Sequence, residues 1–201
     1  MLNDQLNILP KGEKITDADF LKAELEMGIS FENEQFVHLA SKTASQFIPL
    51  DIDTVLDFGA GTGVYTDAFI KHGFDVYTFE IWDAHKEYMK AHIPKIKIVE
   101  EPVQTDLLCW IEVAEHMTNE EIEQLFTQIS PKYILFSSTS ERTDWDQEWG
   151  HINIKEQYQW VEYFERFGYQ YVKPLEYPTQ WSKLFINGKD RIGIEDHLRQ
   201  A

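Results

Sequence analysis

Apolar residues follow two different rhythms along this chain, and the rhythm changes near Pro49. The first nine residues show little periodicity and run into Pro10-Lys11-Gly12, which reads as a loose arm. After Thr16 and Asp17, the positions of Phe20, Leu21 and Leu25, with a stop at Gly28, predict a short helix. A second helix is predicted from Asn33 to Phe47. Its apolar positions Phe36, Leu39, Ala40, Thr43, Ala44 and Phe47 recur at spacings of three and four and share one face, and Pro49 ends it.

Beyond Pro49, short apolar runs alternate with helical stretches. Strands are predicted at Thr54–Phe58, Asp75–Phe79, Ile96–Val99, Leu107–Ile111, Tyr133–Ser137, Tyr169–Val172 and Lys183–Ile186. Helices are predicted between them at Gly63–His72, Ala84–Ala91, Asn119–Ile129 and Lys155–Phe167. Such alternation implies an α/β fold, Rossmann-like and doubly wound. Its mainly parallel seven-stranded sheet has helices on both faces and an N-terminal helical layer. Ligands on such a sheet sit beyond the carboxyl ends of the strands. The chain divides into an N-terminal helical extension (1–50), a core (51–187) and a tail (188–201) of one domain.

Composition narrows the partners. A chain of 201 residues, 43% hydrophobic and 26% charged, suits one globular domain and excludes a wholly disordered chain. Eighteen Lys and Arg against 35 Asp and Glu give a net charge of −17, which repels phosphate backbones and makes nucleic acid an unfavoured partner. The single cysteine, Cys109, allows no intramolecular disulfide. No leader-like or membrane-length apolar run is visible, so the expectation is a soluble, cytoplasmic protein without a membrane partner.

The most informative segment runs from Thr54 to Glu80. A buried strand leads into Gly59, Ala60, Gly61, Thr62 and Gly63, and a helix begins at once. Glycines there permit a tight turn and a close approach of backbone N–H groups to a ligand, and the helix N-terminus favours negative charge. A dinucleotide-binding loop needs a third glycine at position 64, where this chain has Val64. The spacing is instead G-x-G-x-G, with Asp57 two residues before it and Glu80 at the end of the next strand. A carboxylate at Glu80 can accept two hydrogen bonds from neighbouring hydroxyls.

This arrangement resembles motif I of class I S-adenosylmethionine-dependent methyltransferases. The resemblance implies that Asp57, Gly59, Ala60, Gly61 and Gly63 pass under the methionine and ribose of that cofactor, and that Glu80 holds the ribose hydroxyls. Ile81 and Trp82 would then cover the adenine face. An acid after the third strand, Glu100 or Glu101, would meet the adenine amine, although "IKIVEEPVQTDLLCW" compresses that region. The segment Asp106–Met117 resembles the fourth-strand motif of methyltransferases acting on small molecules. There a hydrophobic strand runs into an E-V-x-E-H turn, with Glu112 and His116 at the cofactor edge. A structural reading of Glu115 and His116 as helix-start charges stays open beside it. The resemblance covers Asp53 to Ile186.

Methyl transfer chiefly needs positioning, and a hydroxyl acceptor also needs a base. His116 and His151 are the catalytic candidates because imidazole titrates near neutrality. The long polar segment Ser137–Asn153 is the expected acceptor loop, with Trp145, Trp149 and Asn153 as substrate contacts. The stretch "WGHINIK" resembles bacterial and phage methyltransferases near glycan-modifying enzymes. Tyr158, Tyr163, Tyr169, Tyr171, Tyr177 and Trp181 are assigned to the core.

Neither an N-P-P-Y or D-P-P-Y motif nor a Pro-Cys dipeptide is present, which argues against a DNA base as acceptor. No metal is expected from spacing: Asp83 and His85, or His151 and Asn153, lie two apart without a third ligand at a recognisable spacing, which leaves a catechol-type divalent-metal site open only through residues brought together in the fold. The expected function is transfer of a methyl group from S-adenosylmethionine, leaving S-adenosylhomocysteine, to an oxygen or nitrogen of a small molecule or sugar. The alternatives are a non-catalytic cofactor-binding or protein-interaction module and an NAD-dependent oxidoreductase. Neither the methylated atom nor an oligomeric state is written in the sequence.

Overall fold

Period-two alternation along the central strands sends successive side chains to two separate cores, and this produces a layered build. The computed structural model describes residues 16–144 and 146–190, apart from the side chain of Gln147. Its strands are β1 (Thr54–Phe58), β2 (Asp75–Phe79), β3 (Ile98–Val99), β4 (Leu107–Ile111), β5 (Tyr133–Ser137), β6 (Tyr169–Pro174) and β7 (Lys183–Asn187). They form one sheet in the order β3-β2-β1-β4-β5-β7-β6. β1 to β5 run parallel, whereas β7 is antiparallel to both β5 and β6. The expected doubly wound, mainly parallel seven-stranded sheet is therefore present.

The helices are α1 (Asp17–Glu26), α2 (Glu34–Ser45), α3 (Val64–Lys71), α4 (Asp83–His92), α5 (Asn119–Gln128), α6 (Asp146–Trp149) and α7 (Gln157–Glu165). Val55, Leu107 and Cys109 face a core completed by Ala40 and Ala44 of α2 and by Ala68 and Phe69 of α3. Leu56, Leu108 and Trp110 face the opposite core, with Ile122 and Leu125 of α5 and Trp160 and Phe164 of α7. Each fully buried Leu or Phe here contributes about 1.5–3 kcal/mol relative to exposure.

Thr16 opens α1 with a capping box to Asp19. Asp17 then accepts a hydrogen bond from the Ala84 N–H at the start of α4 (3.3 Å), and Phe20 meets Trp82 edge-on at 4.5 Å. α1 thus docks on α4 beside the glycine loop, whereas α2 packs on α3 over one face of the sheet. The loose arm and nearly all of the tail lie outside the described residues.

Several boundaries moved for local reasons. The β3 ladder starts only at Ile98, after a left-handed turn at Lys95 (φ 66°). α7 starts at Gln157 because Glu156 caps it, which leaves Lys155 free to place its ammonium 4.4 Å from the centre of the Trp160 ring. β6 continues to Pro174 through a bulge between Tyr171 and Lys173. Tyr163 and Tyr169 are buried as expected, but Tyr158 and Tyr171 are exposed. No helix among the described residues is long and apolar enough to cross a membrane.

Candidate functional site

The loop after β1 turns through three left-handed glycines, Gly59, Gly61 and Gly63. Two of them are dictated by neighbours as well as by φ. A Cβ on Gly59 would lie 2.6 Å from Val113 Cγ2, and one on Gly63 would lie 2.5 Å from Met89 Cγ. The Phe79 carbonyl accepts from the Gly59 and Ala60 N–H groups at 2.8 and 3.2 Å. The buried Glu80 carboxylate accepts from Gly61 N–H (2.9 Å) through Oε2 and from Trp82 N–H (3.0 Å) through Oε1. Each oxygen keeps a further lone pair for a ligand hydroxyl.

A cavity of about 270 Å³ opens beside this loop, walled by Asp57, Gly59, Ala60, Gly61, Tyr65 and Glu112, among others. Asp57 is buried and accepts from the Thr66 hydroxyl at 2.6 Å. Burial raises its pKa to about 6, and the Thr66 hydrogen bond opposes that rise. Gly63 caps α3 behind this wall. Ile81 is 68% exposed, and Trp82 packs on Phe20 and His85 instead of lining the cavity. Glu101 is exposed on the loop after β3 and lines neither this cavity nor the one below.

The sequence reading missed Glu24. Its Oε2 lies 2.7 Å from the buried His85 Nε2, and its Oε1 lies 3.2 Å from where a Gly61 Cβ would be. Burial raises the Glu24 carboxyl pKa, and the His85 hydrogen bond opposes the rise. The signal available was position, because Glu24 stands four residues after Phe20 and so on the same helix face.

Past β4 the backbone enters the left-handed region at Glu112 (φ 52°), a strained conformation of the kind that gathers at functional sites. The Glu112 carboxylate is held by the Ser137 hydroxyl and by Thr139 N–H (3.0 Å). This turn also brings Glu115 and His116 to a second cavity of about 900 Å³, walled by Glu112, Glu115, His116, Arg142, Trp149 and His151 among others. The His116 and His151 rings stand 4.8 Å apart. Burial, helped by His151, lowers the His116 pKa to about 4. His151 Nδ1 is 3.3 Å from Asp146 Oδ1. Burial first and the neighbouring Glu112 second push the Glu115 carboxyl well above the usual carboxylate range.

Trp149 lines this second cavity and meets Phe20 edge-on at 5.0 Å. Asn153, expected to contact the acceptor, is instead a clamp. Its Nδ2 donates to the Met117 carbonyl (2.8 Å) and Asn119 Oδ1 (3.2 Å), while its Oδ1 accepts from Lys155. Trp145 lies outside the described residues. Of the pairs first considered for a metal, Asp83 pairs with Lys86 and His85 with Glu24. The fold instead gathers Glu115, His116 and His151, a grouping that spacing along the chain conceals.

The family described as "Methyltransferase domain" matches residues 28–173, and the chain belongs to it. Membership of a methyltransferase family is what the glycine loop and Glu80 led one to expect. No curated protein matches the sequence at a significant level.

Among solved structures, the mitomycin 7-O-methyltransferase MmcR superposes with a TM-score of 0.58 at 12% identity, over 85% of this chain and 60% of that one. A methyltransferase from Archaeoglobus fulgidus gives 0.52 at 13% identity, over 82% and 86% of the two chains. An S-adenosylmethionine-bound amino pentose methyltransferase from Micromonospora echinaspora, involved in calicheamicin biosynthesis, gives 0.54 at 10% identity, over 76% and 90%. A protein from Nostoc punctiforme assigned as an O-methyltransferase matches over only 59% of its own length, so the chain spans about three fifths of it and of MmcR.

Proposed function

We propose that this chain transfers the methyl group of S-adenosylmethionine to an oxygen or nitrogen of a small molecule, with sugars within the acceptor class. The observation that carries this reading is the junction of two cavities. The one beside the glycine loop and the larger polar one share Glu112, Glu24 and Ile29 as walls. A donor on one side of Glu112 and an acceptor on the other are thereby brought to a common boundary, and such positioning is the main requirement of an in-line displacement.

The residues fit the cofactor. Gly59, Ala60 and Gly61 offer backbone without side chains that obstruct approach, and Glu80 retains lone pairs for two ribose hydroxyls. Ile81 and Trp82, which follow Glu80, line neither cavity, and like the exposed Glu101 they gain no support as adenine contacts. When bound, the cofactor supplies an electrophilic methyl on a sulfonium. On the acceptor side, His116, His151 and Trp149 provide a polar end and one aromatic wall. The net charge of −17 favours a small acceptor over nucleic acid. The mitomycin and amino pentose enzymes, whose fold it shares, act on small molecules and a sugar by their names.

Calorimetric titration with S-adenosylmethionine, S-adenosylhomocysteine and NAD, followed by S-adenosylhomocysteine release assays over a panel of phenols, sugars and amines, tests the reading. Micromolar binding of the two adenosyl ligands but not NAD, with turnover of at least one acceptor class, is the expected result. A folded chain that binds neither adenosyl ligand overturns it.

A further inference from the structure

We propose that Glu115, His116 and His151, with Glu112 beside them, bind a single divalent transition-metal ion at the acceptor end of the cleft. One donor atom from each of Glu115, His116 and His151 lies within 4.8 Å of the other two. Donors on one ion, each about 2.0–2.2 Å from it, stand no more than about 4.4 Å apart. In a tetrahedral set the donors stand about 3.3–3.6 Å apart, so the widest pair closes by roughly an ångström, a movement within reach of side-chain rotation.

The surroundings are those of a ligand set. Glu115 is 1% exposed, and among the described residues its Oε2 makes no close hydrogen bond, with the buried Ser138 hydroxyl and the Glu112 carboxyl as its polar neighbours. A buried carboxylate oxygen without a partner is costly unless a cation or proton meets it. Both imidazoles are oriented from behind. His151 turns Nδ1 toward Asp146 at 3.3 Å, and His116 Nδ1 lies against Gly150, 3.7 Å from where a Cβ on that glycine would be. Metal-ligating histidines are held in this way through the ring nitrogen that does not face the ion.

The backbone aligns the same atoms. The Glu115 carbonyl accepts from Ile152 N–H (2.8 Å) and Asn153 N–H (2.9 Å), which folds the segment carrying His151 back over the β4 turn. The remaining carboxylate, Glu112, is positioned by Ser137 and Thr139. Two imidazoles with one or two carboxylates suit Zn²⁺, Mn²⁺ or Fe²⁺ better than Mg²⁺ or Ca²⁺, which prefer oxygen alone. The group faces the larger cavity, so an ion there takes an oxygen of a small molecule as a further ligand. That consequence, which rests on the methyl-transfer reading, narrows the acceptor to an oxygen donor such as a phenol or a vicinal diol. The ion site itself does not depend on that reading.

The test uses the full chain, stripped with a chelator, desalted, and checked for folding by circular dichroism and for S-adenosylhomocysteine binding by calorimetry. Mn²⁺ is then titrated with loss of the free-ion paramagnetic resonance signal as readout, and Zn²⁺ by competition with a chromophoric chelator. One ion per chain at micromolar affinity or tighter is expected. Glu115→Gln, which keeps the size of the side chain, and His151→Ala should each weaken uptake at least tenfold, and the double variant should abolish it. Asp146→Asn should weaken it about 10- to 100-fold by releasing the His151 ring. S-adenosylhomocysteine affinity should stay the same throughout. A folded chain that takes up neither ion, or one whose affinity survives Glu115→Gln and His151→Ala, overturns the site and leaves Glu112 and Glu115 as a proton-sharing pair. Stoichiometric ion uptake without S-adenosylhomocysteine binding supports the site and strikes the methyl-transfer reading instead.

Discussion

Glu24 on α1 and His85 on α4 meet at 2.7 Å, and the contact seals one wall of the cavity beneath the glycine loop. His85 is 1% exposed, and among the described residues its other ring nitrogen, Nδ1, has no partner and Glu24 alone hydrogen-bonds the ring. Glu24→Ala should cost about 1–3 kcal/mol of stability, the range for orphaning a buried polar group, and should also weaken S-adenosylhomocysteine binding by loosening α1. Glu24→Gln keeps an oxygen acceptor and should recover most of both losses. Urea melts and calorimetry of the two variants check this, and an unchanged midpoint for Glu24→Ala would show that α1 is held by Phe20 and Asp17 alone.

Glu80 joins the loop to the end of β2 through the N–H groups of Gly61 and Trp82. Glu80→Ala removes both acceptors together with the proposed ribose contact. Cofactor affinity should fall by about 1–3 kcal/mol, the scale of lost charge-assisted hydrogen bonds, which is roughly 5- to 150-fold in Kd. Wild-type affinity in a folded Glu80→Ala protein would remove Glu80 from the ribose site.

The parts of this site that could be read from the chain are those contiguous in it. Asp57, the glycines and Glu80 lie on adjoining strand ends, so one βαβ unit places them together, and their pattern sufficed to indicate the family. Glu112, Glu115 and His116 share one turn. His151 reaches them only because Ile152 and Asn153 bond back to the Glu115 carbonyl, a long-range pairing with no periodic signature. Glu24 was hidden for the same reason, since nothing local shows that α1 docks on α4. Asn153 misled because an amide in a polar loop suits an acceptor contact and a clamp equally well, and only its bonds to Met117 and Asn119 separate the two.

Asp57 should make stability fall with rising pH. Its folded pKa of about 6 stands above the value of 3.8 for an unperturbed aspartate, so between these values the native state holds more proton than the unfolded state. Stability then decreases as pH rises from about 4 to 6 and stays reduced above that, by up to about 3 kcal/mol for a shift of this size. Asp57→Asn leaves an oxygen to accept from Thr66 and removes the titration. The variant should therefore be more stable than the parent at pH 7.5, and the gap should close near pH 4. Denaturant melts of the cofactor-free proteins at the two pH values check the sign, and a gap that widens on acidification would contradict it.

Gly63 carries two constraints that a double-mutant cycle can separate. Alanine there must adopt φ 80°, which costs about 1–2 kcal/mol. It must also displace Met89, whose Cγ and Sδ would lie 2.5 and 2.7 Å from the new Cβ, and such overpacking costs about 1–3 kcal/mol more. Met89→Ala alone removes a fully buried side chain and should cost about 2–5 kcal/mol. In the double variant the clash is absent while the backbone strain persists. The combined loss should then fall short of the sum of the two by about 1–3 kcal/mol, the part of the Gly63→Ala effect that belongs to Met89. Strict additivity in urea melts would mean that Met89 moves aside freely, and that the left-handed backbone alone demands glycine at the head of α3.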